Sequence, residues 1–186
     1  MTTIRMATTA DCPHLLRIYG QYINTVITFD CQLPTEQEFQ KRYEETATEY
    51  PVLVSVEGGR ITGYASAHPY KDKEAYQWGA ELSIYLDPAF TGKGIGDKLY
   101  EALLNVLKMQ GIRTVYGCVT SPNPPCERLH DAFGFRLVGR FHSAGYKNGA
   151  WHDVMWFEKQ IAPYDEAPQP FQPITEIPRE IIEGLI

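Results

Sequence analysis

The sequence lacks the features that mark membrane, secreted and nucleic-acid-binding proteins. It has no apolar run of roughly 18 residues, the length of a membrane-spanning helix, and we expect no signal peptide at its N-terminus. Its net charge is −6, and its lysines and arginines form no run or stripe, so we expect no nucleic-acid partner. An anionic substrate would have to be attracted by local charges rather than by the whole protein.

Cysteine is also scarce, and its spacing indicates neither a disulfide framework nor a zinc site. Cys12, Cys31, Cys118 and Cys126 contain no C-x-x-C pair. The five histidines form no H-x-H or H-E-x-x-H pattern, so we expect no bound metal. Unpaired thiols are typical of a reducing compartment, so we expect a cytoplasmic protein.

Length and composition indicate one domain. The 186 residues, 44% hydrophobic and 22% charged, are sufficient to bury a core without disulfides or metals. Five of the 13 prolines fall between residues 162 and 178. We therefore expect a domain over residues 1–161, followed by an extended Pro-rich tail over residues 162–186.

Alternating and helical hydrophobic patterns follow one another along this domain. Strands are predicted near residues 3–7, 51–56, 60–67, 77–86, 114–119, 135–142 and 151–158. Helices are predicted at 11–23, after a Thr35–Glu38 capping box, at 95–110 and at 122–133. This order predicts an α+β fold, with a mixed, largely antiparallel sheet flanked by helices.

The most informative stretch is a glycine-rich turn between a strand and a helix. The strand that carries Glu81 ends at Asp87-Pro88, and Gly92, Gly94 and Gly96 lead into the helical pattern. Glycines at such a turn let the backbone approach an anion closely. The first N–H groups of the helix, at its positive dipole end, can then hold a phosphate. An anion site and an acid on one strand suggest group transfer from a phosphorylated cofactor.

Two common phosphate-binding motifs do not fit this turn. A dinucleotide fold requires G-x-G-x-x-G, but Asp97 occupies the third glycine position, and the strand at Arg113 to Val119 has no terminal carboxylate. A P-loop requires Gly-Lys followed by Ser or Thr, which occurs nowhere in the chain. What remains is G-x-G-x-G after an acid-bearing strand, with a second motif, NPPCERLHDAFGF, at residues 123–135.

These two motifs resemble the Q/R-x-x-G-x-G/A loop and the N-x-x-S-x-x-L-Y/H-x-x-x-G-F helix of the GNAT superfamily of N-acetyltransferases. Within that superfamily the chain is similar to the phosphinothricin acetyltransferases over essentially residues 3–175. The segments that carry this similarity include Tyr50–Val54, Ala75–Trp78, Arg128–His130, Ala144–Lys147 and Trp151–Val154. Thr91 replaces the usual Gln or Arg of the loop, and Cys126 replaces the frequent Ser of the helix.

The resemblance implies acetyl-CoA as co-substrate and a set of contacts for it. These are Ile84, Tyr85 and Leu86 for pantetheine, then Gly92, Lys93, Gly94, Ile95 and Gly96 for the pyrophosphate, and Asn123 for the pantetheine arm. Thr91 removes one side-chain phosphate donor, but the backbone amides remain and Lys93 can supply charge. An alternative for Asn123 is that it only starts a helix, which is a common use of Asn.

The resemblance also implies catalytic roles for Glu81 and His130. An amine must lose a proton before it attacks a thioester, and Glu81 is the candidate base. The alternative is an outward-facing carboxylate at a sheet edge. His130 stands where many members have a tyrosine that protonates the leaving thiolate, and the alternative is a structural histidine. No cysteine lies in a nucleophile arrangement, so we expect direct transfer within a ternary complex.

For the acceptor, the resemblance implies contacts at Phe29, Lys71, Lys73 and Tyr76. The two lysines would meet an acidic group, and the alternative is an ordinary solvated loop. The implied acceptor is the α-amine of a small acidic amino-acid-like molecule, such as phosphinothricin or methionine sulfoximine or sulfone. A protein N-terminus, a polyamine, or a non-catalytic acetyl-CoA sensor remain alternatives. A homodimer through the C-terminal strands is also implied, with tail residues Phe171, Ile174 and Ile177 as candidates for the contact.

Overall fold

A computed structural model describes residues 2–186, in which there are seven strands and five α-helices. The strands are β1 (Thr2–Met6), β2 (Val52–Glu57), β3 (Arg60–Pro69), β4 (Gly79–Leu86), β5 (Thr114–Ser121), β6 (Arg136–Lys147) and β7 (Ala150–Gln160). The helices are α1 (Cys12–Gly20), α2 (Glu36–Glu49), α3 (Ile95–Met109), α4 (Pro124–Ala132) and α5 (Arg179–Glu183). Among these residues, no helix is both long and apolar enough to span a membrane.

All seven strands belong to one sheet, in the spatial order β1-β2-β3-β4-β5-β7-β6. Every neighbouring pair is antiparallel except β4 and β5, which are parallel. A parallel pair needs a crossover connection, and α3 supplies it. The predicted α+β fold, with a mixed, largely antiparallel sheet flanked by helices, is therefore confirmed.

Helices cover both faces of the sheet because successive strand residues point to opposite sides. In β2, Leu53 belongs to the larger core beneath α3, whereas Val52 and Val54 pack with α1 on the other face. Leu99 and Leu103 of α3 are fully buried in the larger core. This packing holds the first turn of α3 beside the end of β4.

One predicted helix boundary is set by residues close in the chain, and another is set by contacts with distant residues. The capping box of α2 is confirmed, because Thr35 Oγ1 accepts from the Glu38 N–H (3.3 Å) and the Glu38 carboxylate accepts from the Thr35 N–H (2.8 Å). Helix α1 ends at Gly20 rather than at the predicted Ile23. Beyond that point the chain turns, and the Tyr22 hydroxyl donates to the carbonyl of Leu86 at the end of β4 (2.6 Å).

Residues 162–173 have no helix or strand, as their prolines predict, but the rest of the predicted tail folds back onto the domain. It forms a short 3-10 turn at Ile174–Glu176 and helix α5, and Ile174, Ile177 and Ile182 are buried against α3. The Phe171 ring stacks on Tyr50, with 4.9 Å between the ring centroids. The expectation that Ile174 and Ile177 form part of a dimer contact is therefore wrong, because the same chain covers them, whereas a contact of the half-buried Phe171 stays a prediction. The domain boundary at residue 161 stays a prediction.

Candidate active site

Strands β4 and β5 are paired only over their first halves. The pairing runs from Gly79–Thr114 to Leu82–Gly117, although β4 continues to Leu86 and β5 to Ser121. Beyond the last pair the two parallel strands diverge towards their C-terminal ends. The backbone of β4 that faces this gap has no partner on β5, so its polar groups are available to a ligand.

A cavity of about 370 Å³ extends from this gap along the glycine turn. Its walls come from the end of β4, the turn and α4. They include Ile84, Tyr85, Leu86, Thr91, Gly92, Gly94, Gly96, Asn123 and Cys126. A narrower cavity of about 70 Å³ shares Ile84, Tyr85, Asn123 and Cys126 with it and continues between the strands to Ser83 and Cys118. The predicted cofactor residues, except Lys93 and Ile95, therefore line one path from the turn to the gap.

The turn presents backbone rather than side chains to this cavity. Gly92 and Gly94 both have φ of +71°, a left-handed conformation that side chains rarely tolerate. Ile95 is buried in the core, so only its backbone N–H can face an anion, as is general for the first turn of a helix. The Lys93 ammonium lies 4.5 Å from the ring centroid of Phe90, beside the turn rather than on the cavity wall.

The position of Asn123 is compatible with both predicted roles, capping a helix and contacting the cofactor. Its Oδ1 accepts from the N–H of Cys126 (3.4 Å), and its own N–H donates to the carboxylate of Glu127 (3.0 Å), so it caps α4. The same residue lines both cavities, at the point where they adjoin. Capping α4 therefore also fixes the position of a polar side chain beside the gap.

Glu81 lies on the face of the sheet opposite to α3. Its neighbours Ala80 and Leu82 point into the core, so Glu81 points the other way. Strand β4 is the fourth of seven strands, which makes the alternative of a sheet-edge carboxylate wrong. Burial raises the pKa of the Glu81 carboxyl, while positive charge at His68, its cross-strand neighbour, and at Lys71 opposes the rise.

His130 lies beneath the gap with both ring nitrogens engaged. Nδ1 is 2.8 Å from the carbonyl oxygen of Cys126, which can only accept, so Nδ1 carries the proton. Nε2 is 3.1 Å from the Tyr100 hydroxyl, which then donates to it. The side chain is 2% exposed, and burial lowers the pKa of His130. This geometry favours the structural alternative, because a neutral ring bonded in this way has no free proton to donate.

The four predicted acceptor residues do not form one cluster. The Lys71 ammonium lies over the Tyr70 ring, 5.1 Å from its centroid, and its charge acts on Glu81. The Tyr76 ring packs edge-on against Tyr70, with 5.9 Å between the centroids, and lines a separate cavity of about 210 Å³. Lys73 is exposed and precedes the short 3-10 turn that ends at Tyr76.

Phe29 is held in place by strand β6. It lies in the segment between α1 and α2, and its ring packs directly on Gly145, where any side chain would collide with it. The buried ammonium of Lys147 donates to the carbonyls of Thr28 (2.6 Å) and Asp30 (2.7 Å) on either side. The C-terminal strands therefore fix the position of this aromatic side chain.

The structure adds a partly polar cavity that the sequence interpretation missed. It measures about 280 Å³ and lies between α2 and the sheet, with Arg42, Ser66, His68 and Ser83 among walls that are otherwise mostly apolar and aromatic. Arg42 donates to the carboxylate of Asp30 (2.9 Å), which orients it. Polar residues at every second position of β3 and β4, within otherwise apolar strands, are the signal that predicts such a face.

The cysteines are free thiols, and two of them border the gap. Burial raises the pKa of both Cys118 and Cys126 to about 11, so both are protonated at neutral pH. A protonated thiol is a poor nucleophile. Across residues 2–186, no three His, Cys, Asp or Glu side chains are grouped so as to hold a metal ion.

This arrangement of a split parallel strand pair and a glycine turn belongs to an acetyltransferase. The acetyltransferase (GNAT) domain family matches residues 4–156, and the chain is a member of that family. It is 35% identical to the phosphinothricin N-acetyltransferase of Streptomyces viridochromogenes, over 94% of this chain and 95% of that one. It is 32% identical to the L-methionine sulfoximine/L-methionine sulfone acetyltransferase of Salmonella typhimurium, over 86% and 94%.

Solved structures show the same similarity. The protein yncA of Salmonella typhimurium, solved with acetyl-CoA, superimposes with a TM-score of 0.85 at 31% identity, covering 90% of this chain and 98% of that one. A GNAT phosphinothricin acetyltransferase from Sinorhizobium meliloti, in complex with acetyl-CoA, gives 0.84 at 30% identity, covering 91% and 96%. Both relatives therefore carry acetyl-CoA on this fold.

His130 is expected to be neutral near neutral pH and to titrate below its ordinary pKa of 6.5. Because its folded pKa is lowered, the stability that the neutral ring contributes is present above pH 6.5 and is lost as the pH falls. Imidazole nitrogen NMR as a function of pH measures this, with the resonance assigned by its loss in His130→Gln. A ring that is cationic at neutral pH would restore His130 as a proton donor.

Proposed function

We propose that this protein transfers an acetyl group from acetyl-CoA to the α-amine of a small acidic amino-acid-like acceptor. Phosphinothricin and methionine sulfoximine or sulfone are the acceptor types that the names of its relatives suggest. One observation carries the proposal. The groove from the glycine turn ends at the gap between β4 and β5, and Glu81 lies on β4 two residues before Ser83, which lines that gap.

The cofactor would be held mainly by backbone groups. The pyrophosphate would lie on Gly92, Gly94 and Gly96, where left-handed glycines leave room and the first N–H groups of α3 face it. The pantetheine arm would run along Ile84 to Leu86 past Asn123. The unpaired N–H groups of β4 would polarise the thioester carbonyl as charge develops on its oxygen.

Glu81 would accept the proton of the acceptor ammonium, directly or through one water. The free amine then attacks the thioester carbonyl, the N–C bond forms and the C–S bond breaks. CoA leaves as its thiolate, and the nitrogen releases its second proton to solvent as the amide forms. A raised pKa of Glu81 suits this role, because it makes the carboxylate a stronger base and brings its pKa closer to the pH at which it must accept the proton. Direct transfer is supported by the protonated state of Cys118 and Cys126, which disfavours an acetyl-cysteine intermediate.

Local charge would select the acceptor. Lys71 flanks Glu81, and Arg42 lines the neighbouring polar cavity, so two cations border the face on which the amine must bind. These cations favour an acceptor with an acidic group and disfavour a polyamine. Phe29 would provide an apolar wall. Lys73 and Tyr76 stay predicted contacts, because Lys73 is exposed on the loop and Tyr76 lines the separate cavity of about 210 Å³.

Replacing Glu81 by Gln tests the proposed base. The substitution keeps size and most hydrogen bonding but removes basicity, so kcat should fall by about 10²- to 10⁴-fold while acetyl-CoA binding persists. In the wild type, activity should be lost as the pH falls through the Glu81 pKa, which lies above 4.5. The variant should lack this acidic limb and regain activity at high pH, where the amine is already free.

Glu158→Gln is the matched control for that experiment. Glu158 lies opposite Tyr116 on the same face of the sheet but pairs with Arg136 at the surface, so its loss should leave kcat near the wild-type value. Steady-state thiol release, with thermal melts of each variant, provides the measurement. A well-folded Glu81→Gln enzyme with wild-type turnover at neutral pH would disprove the assignment.

Replacing Gly94 by Ala tests the pyrophosphate cradle. The residue needs φ of +71°, so a side chain strains the turn and crowds the anion, and the Kd for acetyl-CoA should rise about tenfold or more. Gly59→Ala is the control, because Gly59 has φ of +79° in the β2–β3 turn, away from the cavity. Calorimetry in which both variants bind acetyl-CoA equally well would contradict the cradle.

A homodimer through the C-terminal strands belongs to the same proposal. Strand β6 is at the edge of the sheet, and large apolar side chains are exposed on it and on β7, namely Leu137, Val138, Phe141, Tyr146 and Trp151. An exposed edge strand with such residues is a typical contact between copies. Sedimentation equilibrium should give twice the 21.1-kDa mass of one chain. A single-chain mass at micromolar concentration would contradict this.

A further inference from the structure

The C-terminal segment, residues 162–186, is hydrogen-bonded to the loop between β3 and β4. This loop, residues 70–78, is named the acceptor loop here because it carries Lys71. The indole N–H of Trp78 donates to the carbonyl of Gln169 (2.8 Å). The side-chain oxygen of Gln77 accepts from the N–H of Phe171 (3.0 Å). The C-terminal end of the loop is therefore tied to the segment at two consecutive residues.

A cavity marks a second contact between the same two parts of the chain. The cavity of about 210 Å³ has Tyr70, Ala75, Tyr76 and Trp78 of the acceptor loop on one side, and Tyr164, Asp165 and Pro168 of the segment on the other. The residues at the start of β5, together with Arg113 just before it, also line this cavity and bind the C-terminal segment. Arg113 donates to Asp165 (2.9 Å), and the Thr114 hydroxyl is 2.9 Å from that of Tyr164. The segment therefore follows the acceptor loop over several residues.

Between its two ends the acceptor loop has few other restraints. At its last residue, the carbonyl of Trp78 also accepts from the N–H groups of Arg113 (2.8 Å) and Thr114 (3.2 Å). Residues 71–76 are exposed, and their hydrogen bonds within the loop are those of one short turn, Tyr76 N–H to Lys73 (2.8 Å) and Gln77 N–H to Glu74 (3.0 Å). The far end of the segment, by contrast, is firmly anchored. Its buried isoleucines pack on Val106 of α3, and the Gln110 side chain donates to the carbonyl of Gln172 (2.9 Å).

We propose that the C-terminal segment is a positioning element for the acceptor site, acting through Gln77 and Trp78 on the loop that carries Lys71. The inference rests on the proposed function, in which Lys71 meets the acidic group of the acceptor. The segment contacts the C-terminal half of α3, whereas the pyrophosphate cradle lies at its first turn. Loosening the segment from the loop therefore affects acceptor binding and leaves acetyl-CoA binding unchanged.

The test compares two ways of loosening the segment. In the double variant Gln77→Met/Trp78→Phe, both bonds to the acceptor loop are lost while side-chain size and aromatic packing are largely kept. In Thr175→Val, the segment loses its bond to the carbonyl of Thr48 at the end of α2 (3.0 Å), remote from the loop. Each protein is assayed for the KM of a methionine sulfone acceptor, the KM of acetyl-CoA, kcat, and hydrogen–deuterium exchange of peptides covering residues 70–78.

In the double variant, the acceptor KM should rise about 3- to 10-fold, the effect of one or two ordinary hydrogen bonds, with the acetyl-CoA KM unchanged. Exchange in residues 70–78 should accelerate in the same protein. Thr175→Val should change neither quantity. Unchanged exchange in the double variant, or an equal effect of Thr175→Val, would overturn the inference.

The exchange measurement does not need turnover, so it separates this inference from the proposed function. If the wild type acetylated no amino-acid-like acceptor, the proposed function would fail, and exchange would still show whether the segment holds the loop. If exchange accelerated but the acceptor KM stayed constant in an active enzyme, the segment would order the loop without positioning the acceptor. That result would disprove the inference while leaving the transferase assignment intact.

Discussion

The separation of β4 from β5 after the Leu82–Gly117 pair is the constraint on which the site depends. Gly117 is the last residue of β5 that pairs with β4, and the His130 ring packs on it so closely that any side chain there would collide with the ring. Tyr100 holds the ring by a hydrogen bond to Nε2, and the carbonyl of Cys126 holds it at Nδ1. The ring therefore lies under the point where the strands part, and it needs to be neutral and buried there. The main contribution of the His130 ring is therefore to the shape of the gap between β4 and β5.

Strand β4 contributes to the core, the candidate base and the cofactor cavity through simple alternation. Ala80 and Leu82 are buried beneath α3, while Glu81 and Ser83 face the open side. Because the end of the same strand leads to the glycine turn, the candidate base and the candidate anion site lie on one continuous element. A fixed spacing of this kind would suit catalysis, since small displacements of a base from the reacting amine cost rate.

Much of this could be predicted from sequence because it is encoded locally. Strand alternation, the Thr35 capping box and the glycine turn each depend on residues close together in the chain. The position of Glu81 on a central strand could not be predicted from the sequence, because strand order is set by pairings between distant segments. The path of the C-terminal segment could not be predicted for the same reason. Its prolines predict an extended tail, and the role of Ile174 and Ile177 emerges only once α3 provides the apolar surface that they cover.

The net charge of the protein is unfavourable for anionic ligands, so acetyl-CoA must be attracted by local groups. The net charge of −6 opposes a CoA pyrophosphate at long range, and it would oppose the acidic acceptor proposed above in the same way. Hydrogen bonds from the backbone amides of the glycine turn do not depend on the net charge of the protein. This explains why Thr91 can occupy the position at which the family motif has Gln or Arg. On the proposed acceptor face, Lys71 and Arg42 provide positive charge, and the Arg42 side chain is oriented by Asp30. In the proposed function, selectivity for an acidic amino-acid-like acceptor would follow from one carboxylate that takes the ammonium proton and nearby cations that take the acidic group.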